Sequence, residues 1–282
     1  MRARFPIYVI SKGRWSRRQT IKSLEAMGVN YRLVIEPAEF DKYAEVVNPA
    51  KIITTPENFS ERDCGSIPVR NFVWEHSISE GHARHWILDD NLEYLGRYNN
   101  NLWIPCKCET PFRVMEDFVL RYKNIGLAAP NYVNFCPASE GRPPFQMNTR
   151  VYSCILINNS LGFRWRGRYN EDTDLSLRCM KAGFNTILFN AFLIAKRATM
   201  CQKGGNEDIY NNSDNRKEFA ESLKEFHPDV VKVVWRFNRW HHQVNYKPFK
   251  GRGLEYRDDY VKPDNKVNEY GMVLNKVEEK SW

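Results

Sequence analysis

The sequence contains no run of roughly 18 uninterrupted apolar residues, the length that a membrane-spanning helix requires. It also contains no internal repeat and no low-complexity block. Apolar residues make up 42% of the chain and aromatic residues 13%, which is ample for a buried core. These features predict a soluble globular protein without a membrane partner. At 282 residues the chain is near the size at which one hydrophobic core stops growing.

Cysteine is sparse, and its pattern is typical of reduced thiols. The seven cysteines are an odd number spread along the chain, and some have apolar neighbours, as Cys154 does. Cys106 and Cys108 form a lone C-x-C without a second pair at metal-ligand spacing, which favours packing or surface cysteines over zinc. The short apolar stretch at the amino terminus runs into Lys12 instead of a small-residue cleavage site, so it is predicted to be a strand. We expect a cytoplasmic protein.

Positive charge exceeds negative charge, with a formal net charge of +8 and a pI near 9.1. A basic protein attracts polyanions such as nucleotide diphosphates and nucleic acid. The lysines and arginines are scattered along the chain and do not cluster on one predicted helix. The charge therefore permits a nucleic-acid partner without requiring one.

Segments with strand-like and helix-like spacing alternate along the chain, which predicts an α/β fold with a mostly parallel central sheet and helices on both faces. We expect a single domain at 1–250 and a loop-like tail at 251–282, because the tail is rich in charge, Gly and Pro. The predicted strands are 5–11, 31–36, 51–54, 83–88, 125–129, 151–158 and 186–193. The predicted helices are 19–27, 39–46, 67–78, 112–122, 171–182 and 216–226.

Polar clusters follow several of these strands. In an open parallel sheet, ligands bind outside the carboxyl ends of the strands, so such clusters are expected to share one site. The basic loop after the first strand offers hydroxyl, ammonium and guanidinium groups to a nucleotide, and an acid after the second strand could accept from a ribose or base. The residues concerned are Ser11, Lys12 and Arg14 after the first strand, Glu36 after the second, and Asp89, Asp90 and Asn91 after the fourth.

Asp89 and Asp90 place two like charges side by side at a strand end, which is unfavourable without a cation or strong donors. A divalent ion accounts for them, since hard oxygen ligands suit Mg²⁺ or Mn²⁺, and such an ion on a pyrophosphate would neutralise a departing nucleoside diphosphate. A capped turn at the strand end accounts for them equally well.

A second acidic cluster, Glu171 and Asp172, opens the predicted helix 171–182 and follows Trp165-Arg166-Gly167. Acids in a first helical turn are ordinary capping chemistry. If Asp172 faces the same cleft as Asp89, it could accept the proton of an acceptor hydroxyl.

Three later features are weaker. Lys203-Gly204-Gly205 could be a phosphate-approach loop or only a turn. His241 and His242 could supply an imidazole to Mn²⁺ or could be structural. The aromatic residues around them, interleaved with arginines, could be core or could stack on bases.

The chain resembles the TET-associated glycosyltransferases, phage-type enzymes that are thought to glycosylate 5-hydroxymethylpyrimidines in DNA. The resemblance covers about 5–250 and depends on the motifs taken together. These motifs are Ile7-Tyr8-Val9-Ile10-Ser11-Lys12-Gly13-Arg14, Val34-Ile35-Glu36-Pro37, Arg70-Asn71, His85-Trp86-Ile87-Leu88-Asp89-Asp90-Asn91, Asn148-Thr149-Arg150-Val151-Tyr152-Ser153, Tyr169-Asn170-Glu171-Asp172-Thr173-Asp174-Leu175, Lys203-Gly204-Gly205-Asn206 and His241-His242.

The resemblance implies a GT-A-type, Rossmann-like fold, a UDP-sugar donor, Mn²⁺ or Mg²⁺, and an acceptor such as 5-hydroxymethylcytosine in DNA, in a phage-infected bacterial cell. It implies that Asp172 is the base of a one-step inverting transfer, beside Glu171. Metal ligands are expected among Asp89, Asp90, Asn91, His241 and His242. Donor-binding residues are expected among Ser11, Lys12, Arg14, Glu36, Arg70, Asn71, Asp89, Lys203, Gly204 and Gly205.

Other functions stay open on the sequence alone. The metal and donor residues are equally suited to a glycosyltransferase acting on protein or glycan. A catalytically inactive nucleic-acid-binding module could keep the same fold. A nucleotidyltransferase also uses carboxylates and a metal, although it would need a triphosphate donor.

Overall fold

The computed structural model describes residues 1–62, 64–99, 102–139, 142–196 and 216–262, and it confirms the predicted α/β class. The strands are β1 (Ile7–Ile10), β2 (Arg32–Ile35), β3 (Ile52–Thr54), β4 (Arg84–Leu88), β5 (Leu92–Asn99), β6 (Leu102–Pro105), β7 (Ile125–Tyr132), β8 (Phe145–Met147), β9 (Cys154–Asn158), β10 (Asn185–Lys196), β11 (Val231–Arg236) and β12 (Arg239–Val244). The helices are α1 (Gln19–Ala26), α2 (Phe40–Ala44), α3 (Ile67–Ser79), α4 (Thr110–Leu120), α5 (Glu171–Lys181) and α6 (Arg216–Phe226). Short 3₁₀ helices lie at Pro37–Glu39, Pro49–Lys51, Phe59–Glu61, Val133–Phe135 and Lys247–Phe249.

The central sheet has ten strands in the order β3-β2-β1-β4-β9-β7-β10-β5-β6, with β8 pairing to β10. Strands β1 to β4 form a parallel block, and β7 and β10 form a second parallel pair. Between them β9 runs antiparallel to both β4 and β7. This mixed, mostly parallel sheet with flanking helices agrees with the GT-A-type, Rossmann-like fold that the resemblance implies.

Helices cover both faces of the sheet, because side chains along each buried strand alternate between the two sides. Ile7 and Val9 of β1 pack in a core with α1 and α4, through residues such as Phe112. Tyr8 of β1 points to the other face, where Trp74 of α3 belongs to the second core together with residues of α5. The central strands are therefore buried on both sides, which accounts for their continuous apolar runs.

The predicted helix ends at Gly28 and Gly183 are confirmed. Both glycines follow the last turn of their helix with positive φ angles of 67° and 94°, a conformation that favours glycine. The strands β5, β6, β8, β11 and β12 were not predicted. Two hairpins, β5–β6 and β11–β12, arise within segments that carry few apolar alternations.

The carboxyl ends of the parallel strands meet at one edge of the sheet, as expected for an open α/β sheet. Ser11 follows β1, Asp89 follows β4, and Lys196 is the last residue of β10. Because β9 is antiparallel, its beginning lies at this edge too, and the backbone N–H of Asp89 donates to the carbonyl of Ser153 at 2.8 Å. This edge, together with the start of α5, forms the candidate site.

The described part of the C-terminal tail packs on the domain. The carbonyl of Gly253 accepts from the side chains of Asn124 and Asn185 at 3.0 and 2.9 Å, and Tyr256 forms an isolated bridge with Tyr122. Within the described ranges, no helix has both the length and the apolar character needed to cross a membrane.

Gly126 in β7 lies where the core leaves no room for a larger side chain. A methyl group at this position would overlap Sγ of Cys179 on α5 and approach Cβ of Phe184 to 3.1 Å. Overpacking a close-packed core costs about 1–3 kcal/mol. We expect Gly126→Ala to lower the free energy of unfolding by this amount, measured by chemical denaturation. The matched control is Gly162→Ala, whose new methyl group would meet no atom within 4 Å; equal stability of the two variants would contradict the packing described for β7 and α5.

Candidate active site

Asp89 follows β4, and its carboxylate is enclosed by donors from three other parts of the fold. Nη2 of Arg70 on α3 donates to Oδ1 at 2.9 Å. Oγ of Ser153 donates to Oδ2 at 2.7 Å, and Nζ of Lys196 donates to the same oxygen at 3.1 Å. Burial acts to raise the pKa of Asp89, but Lys196 and Arg70 hold that pKa well below its usual range. Asp89 is therefore an anion held by two cations.

Arg70 joins the two acidic clusters that the sequence singled out. Its side chain is only 9% exposed and its guanidinium lies 4.8 Å from the ring centre of Trp165. The nitrogen that donates to Asp89 also lies 3.5 Å from Oε1 of Glu171 at the start of α5. One guanidinium thus brings the end of β4 and the beginning of α5 to a common point.

Asp90 faces the loop after β1 and uses a different set of donors. Its Oδ1 forms an ion pair with Nη1 of Arg14, and its Oδ2 accepts from Oγ of Ser11 at 2.6 Å. The hydroxyl of Tyr43 supports both partners, because it is hydrogen-bonded to Ser11 at 2.6 Å and accepts from the backbone of Arg14 at 3.2 Å. Burial raises the pKa of Asp90 against the effect of Arg14. Each of the two adjacent carboxylates is therefore neutralised by different cations, Asp89 by Arg70 and Lys196 and Asp90 by Arg14.

Asp172 lies in the first turn of α5 with one carboxylate oxygen in use. Its Oδ1 accepts from the backbone N–H of the next residue, Thr173, at 2.7 Å, and a negative charge in the first turn suits the helix dipole. Its Oδ2 has no hydrogen-bond partner among the residues that the structure describes. Beside it, burial raises the pKa of Glu171, and Arg70 opposes that effect. An acceptor hydroxyl could therefore bind at Asp172 without displacing a protein donor.

Arg150 adds a third cation, which is partly buried, to this region. Its guanidinium lies 5.0 Å from the ring centre of Tyr152, and its charge acts on Asp172. Among the described residues, the cluster then holds three cations, Arg70, Arg150 and Lys196, and three carboxylates, Asp89, Glu171 and Asp172. The formal charges of these six side chains balance.

The predicted donor-binding residues fall into different surroundings. Ser11 and Arg14 bind Asp90, so they lie at the site edge. Both oxygens of Glu36 accept from Ser60, at 2.7 Å from its backbone N–H and also from its hydroxyl, so this acid ties down the loop before α3. Asn71 holds the backbone of Trp165 through two hydrogen bonds of 3.0 and 2.9 Å. Asn71 thereby positions the indole on which Arg70 lies.

The other predicted residues that the structure describes do not belong to this cluster, although His242 lies close to it. Lys12 is half-buried in the loop after β1. His241 lies on β12 and accepts from Nε of Arg239 at 2.9 Å. Burial lowers the pKa of His242 to about 4, and the charges of Arg150 and Asp172 both act on it. Lys203, Gly204 and Gly205 lie outside the described residues.

The described carboxylates do not form a metal-ligand set by themselves. Both oxygens of Asp89 and both oxygens of Asp90 are bound by protein donors. In the described parts of the chain, no three His, Cys, Asp or Glu side chains are grouped to hold a metal ion. The amide oxygen of Asn91 is buried and has no hydrogen-bond partner among the residues that are described. The predicted Mn²⁺ or Mg²⁺ therefore fits this site only if it arrives with phosphate ligands, as Mg²⁺ commonly does.

Lys196 and Ser153 are site residues that sequence reasoning missed. Lys196 was passed over because the predicted strand ended at 193, whereas β10 continues to Lys196 at the ligand-binding edge. A charged residue directly after an apolar strand is the same signal that marked Asp89. Ser153 has a positive φ of 60° and its hydroxyl group donates to Asp89, and neither feature could be predicted from the sequence.

Comparison with known proteins gives one family. The family model described as TET-Associated Glycosyltransferase matches residues 5–205, which is well over half of the chain. The match includes β4, α5 and all six charged residues of the site, namely Arg70, Asp89, Arg150, Glu171, Asp172 and Lys196. No curated protein matches the chain.

The ion pairs of Asp89 with Arg70 and Lys196 are expected to contribute to stability. Asp89→Asn leaves Arg70 and Lys196 as buried cations without their carboxylate, and breaking a buried pair in this way costs about 3–5 kcal/mol. We expect Asp89→Asn/Lys196→Met to lose less than the sum of the two single variants, with a coupling energy of about 0.5–3 kcal/mol. Chemical denaturation of the four proteins gives this double-mutant cycle.

The control for this cycle is the exposed pair of Arg257 and Asp259, 2.7 Å apart. Asp259→Asn should leave the free energy of unfolding nearly unchanged, because water and salt screen an exposed ion pair. Strict additivity of Asp89→Asn and Lys196→Met would contradict the contact between the two side chains.

Proposed function

Because this chain belongs to the TET-associated glycosyltransferase family, we propose that its site transfers a sugar from a UDP-sugar to the hydroxymethyl group of 5-hydroxymethylcytosine, or a related hydroxymethylpyrimidine, in DNA. Family membership makes the chain a glycosyltransferase. The donor, the acceptor, the metal and the residue roles given below belong to the proposal.

The observation that carries the proposal is the position of Arg70 between the two acidic clusters. It lies 2.9 Å from Asp89 and 3.5 Å from Glu171, so the sheet edge and the start of α5 line one site. A sugar transfer needs a place for a departing diphosphate and a base for the acceptor within one cleft. Lys196 and Arg70 are cations suited to the diphosphate, and Asp172 on the adjoining helix turn is a carboxylate suited to the acceptor.

The proposed reaction is a single displacement. The acceptor hydroxyl transfers its proton to Asp172 while its oxygen bonds to the anomeric carbon of the sugar. The bond from that carbon to the UDP oxygen breaks, and UDP leaves with the electron pair. Attack from the face opposite UDP inverts the anomeric configuration. A product that keeps the anomeric configuration of the donor would overturn the role given to Asp172.

Charge balance supports a metal that enters with the nucleotide. The cations and carboxylates of the site are equal in number, so a bound diphosphate adds negative charge that the described residues do not compensate. When bound to the diphosphate, Mn²⁺ or Mg²⁺ supplies this compensation as UDP leaves. Asp89 and Asn91, at the end of β4, would supply oxygen ligands to this ion.

The decisive assay incubates the protein with DNA that contains 5-hydroxymethylcytosine, in parallel with cytosine DNA of the same sequence. Several UDP-sugars are supplied with Mn²⁺, and mass spectrometry of the digested nucleosides detects the added sugar. We expect the sugar on the hydroxymethylated DNA alone. Transfer only to a protein or glycan would contradict the proposal that DNA is the acceptor. Absence of both transfer and UDP-sugar hydrolysis would favour an inactive binding module.

Asp172 and Asp174 provide a matched pair of substitutions within one helix turn. Asp172→Asn should lower kcat by about 10²–10⁴, the range for loss of a general base, and should leave UDP affinity and stability nearly unchanged. Asp174 is buried and bound by Arg166, Arg178 and His227. Asp174→Asn should instead destabilise the fold by about 3 kcal/mol or more. Transfer kinetics and thermal unfolding separate these outcomes; a fully active Asp172→Asn protein would contradict the proposal.

Metal binding should depend on the nucleotide. The free Mn²⁺ signal in electron paramagnetic resonance should persist when the protein alone is added, because both oxygens of Asp89 are already bound. The signal should fall when protein and UDP are present together, by more than UDP alone produces. Chelation with EDTA should remove transfer, and Mn²⁺ or Mg²⁺ should restore it. Tight Mn²⁺ binding without UDP, or full activity in EDTA, would contradict this role.

A further inference from the structure

The hairpin β11–β12 ends in an aromatic and basic tip, which we define as residues 235–240. The register pairs Trp235 with Trp240 and Arg236 with Arg239. Phe237 and Asn238 form the two-residue turn with φ angles of 51° and 55°, the left-handed conformation of a type I′ hairpin. Phe237 is 88% exposed and Trp235 is 53% exposed.

The base of the hairpin is anchored, so the tip projects from a rigid support. Val231 belongs to a small core with Leu223 of α6 and Leu177 of α5, and Val244 packs against that core. The exposed aromatic residues at the tip are therefore not needed for this core. Phe237 in particular has a left-handed conformation that favours Asn or Gly, so stability does not account for a phenylalanine there.

Charge at the tip favours a polyanionic partner. The segment 230–252 contains no Asp or Glu, and Arg236 and Arg239 are exposed on either side of Phe237. Lys217 of α6, which also pairs with Glu221 at 3.6 Å, lies 5.5 Å from the ring centre of Trp240. The segment carries the basic residues Lys232, Arg236, Arg239, Lys247, Lys250 and Arg252.

The hairpin is also next to the proposed acceptor base. The charges of Asp172 and Arg150 act on His242, which pairs with Val233 in the hairpin. The charge of Arg150 also acts on Tyr246, just after β12. The hairpin therefore lies beside the proposed acceptor base, close enough for a polymer bound there to reach it.

From these observations we infer that the hairpin tip is a nucleic-acid-binding element that stacks Phe237 and Trp235 on unpaired bases while Arg236 and Arg239 bind the phosphates beside them. Aromatic side chains stack on bases of any sequence, and arginines track the backbone. Chemistry on a base within a duplex requires that the base leave the stack, which exposes neighbouring bases to such a wedge. The inference rests on the proposed DNA acceptor, and the hairpin lies beyond residues 5–205 that match the family.

The test measures binding without requiring transfer. Fluorescence anisotropy of a labelled, unmodified single-stranded oligonucleotide gives the Kd of the full chain. Phe237→Asn removes the ring but keeps a residue that favours the left-handed turn, so thermal stability should be equal or higher. We expect this variant to weaken binding roughly tenfold. Arg236→Gln should lower the slope of log Kd against log salt by about 0.7, as loss of one phosphate contact predicts.

Matched controls come from other exposed positions. Val261→Asn removes a side chain that is 86% exposed, and Arg2→Gln removes one exposed charge near α4; both should bind the oligonucleotide like the unaltered protein. An unaltered protein that does not bind, or Phe237→Asn and Arg236→Gln variants that bind equally well, would overturn the inference. Vesicles of phosphatidylcholine and phosphatidylserine test the rival partner: loss of vesicle binding in Phe237→Asn, with oligonucleotide binding unchanged, would assign the tip to membranes.

The two proposals fail separately in these experiments. Oligonucleotide binding that depends on Phe237 would stand even if no sugar were transferred to DNA. Conversely, transfer to hydroxymethylated DNA with equal Kd values for all variants would support the proposed function and contradict nucleic-acid binding by the hairpin tip. If both hold, Phe237→Asn should slow transfer to a long oligonucleotide and leave transfer to the free hydroxymethylated nucleoside unchanged.

Discussion

The ion cluster around Asp89 connects parts of the chain that are far apart in sequence. Arg70 on α3 and Lys196 at the end of β10 both donate to this one carboxylate, and Arg70 continues to Glu171 on α5. Charges taken out of water are costly unless each has a partner and well-placed hydrogen bonds. Loss of Asp89 therefore leaves Lys196 without this carboxylate and Arg70 with Glu171 alone. This constraint ties the sheet edge and the surrounding helices into one site.

The same constraint explains how the adjacent carboxylates of Asp89 and Asp90 can both lie at one strand end. Two like charges at a strand end need a cation or strong donors, and the chain supplies both from its own side chains. Asp89 receives Arg70 and Lys196, whereas Asp90 receives Arg14 and Ser11. A divalent ion is consequently not needed to stabilise the site without ligand. A metal is instead needed for the diphosphate, because the described cations are already balanced by carboxylates and do not compensate the charge of that ligand.

Much of the fold could be predicted because burial imposes periodicity on the sequence. Strand β4, buried on both faces, appears as a continuous apolar run, and α5 shows helical spacing that ends at Gly183. The hairpin β11–β12 was missed because its outer half is exposed, so no apolar alternation distinguishes it. Its two-residue turn of Phe237 and Asn238 also departs from the Asn-Gly pattern that usually marks such hairpins.

The sequence by itself determined the α/β class, the position of Asp89 at a strand end and that of Asp172 at a helix start, because these follow from local periodicity and capping. Which groups surround them was decided only by the tertiary structure. Lys196 comes 107 positions after Asp89 yet donates to it, and Glu36, equally well placed at a strand end, is bound to Ser60 instead. Local patterns specify where a side chain lies on its element. The pairing of distant strands and helices specifies what it meets, and burial then requires each charge to find its partner there.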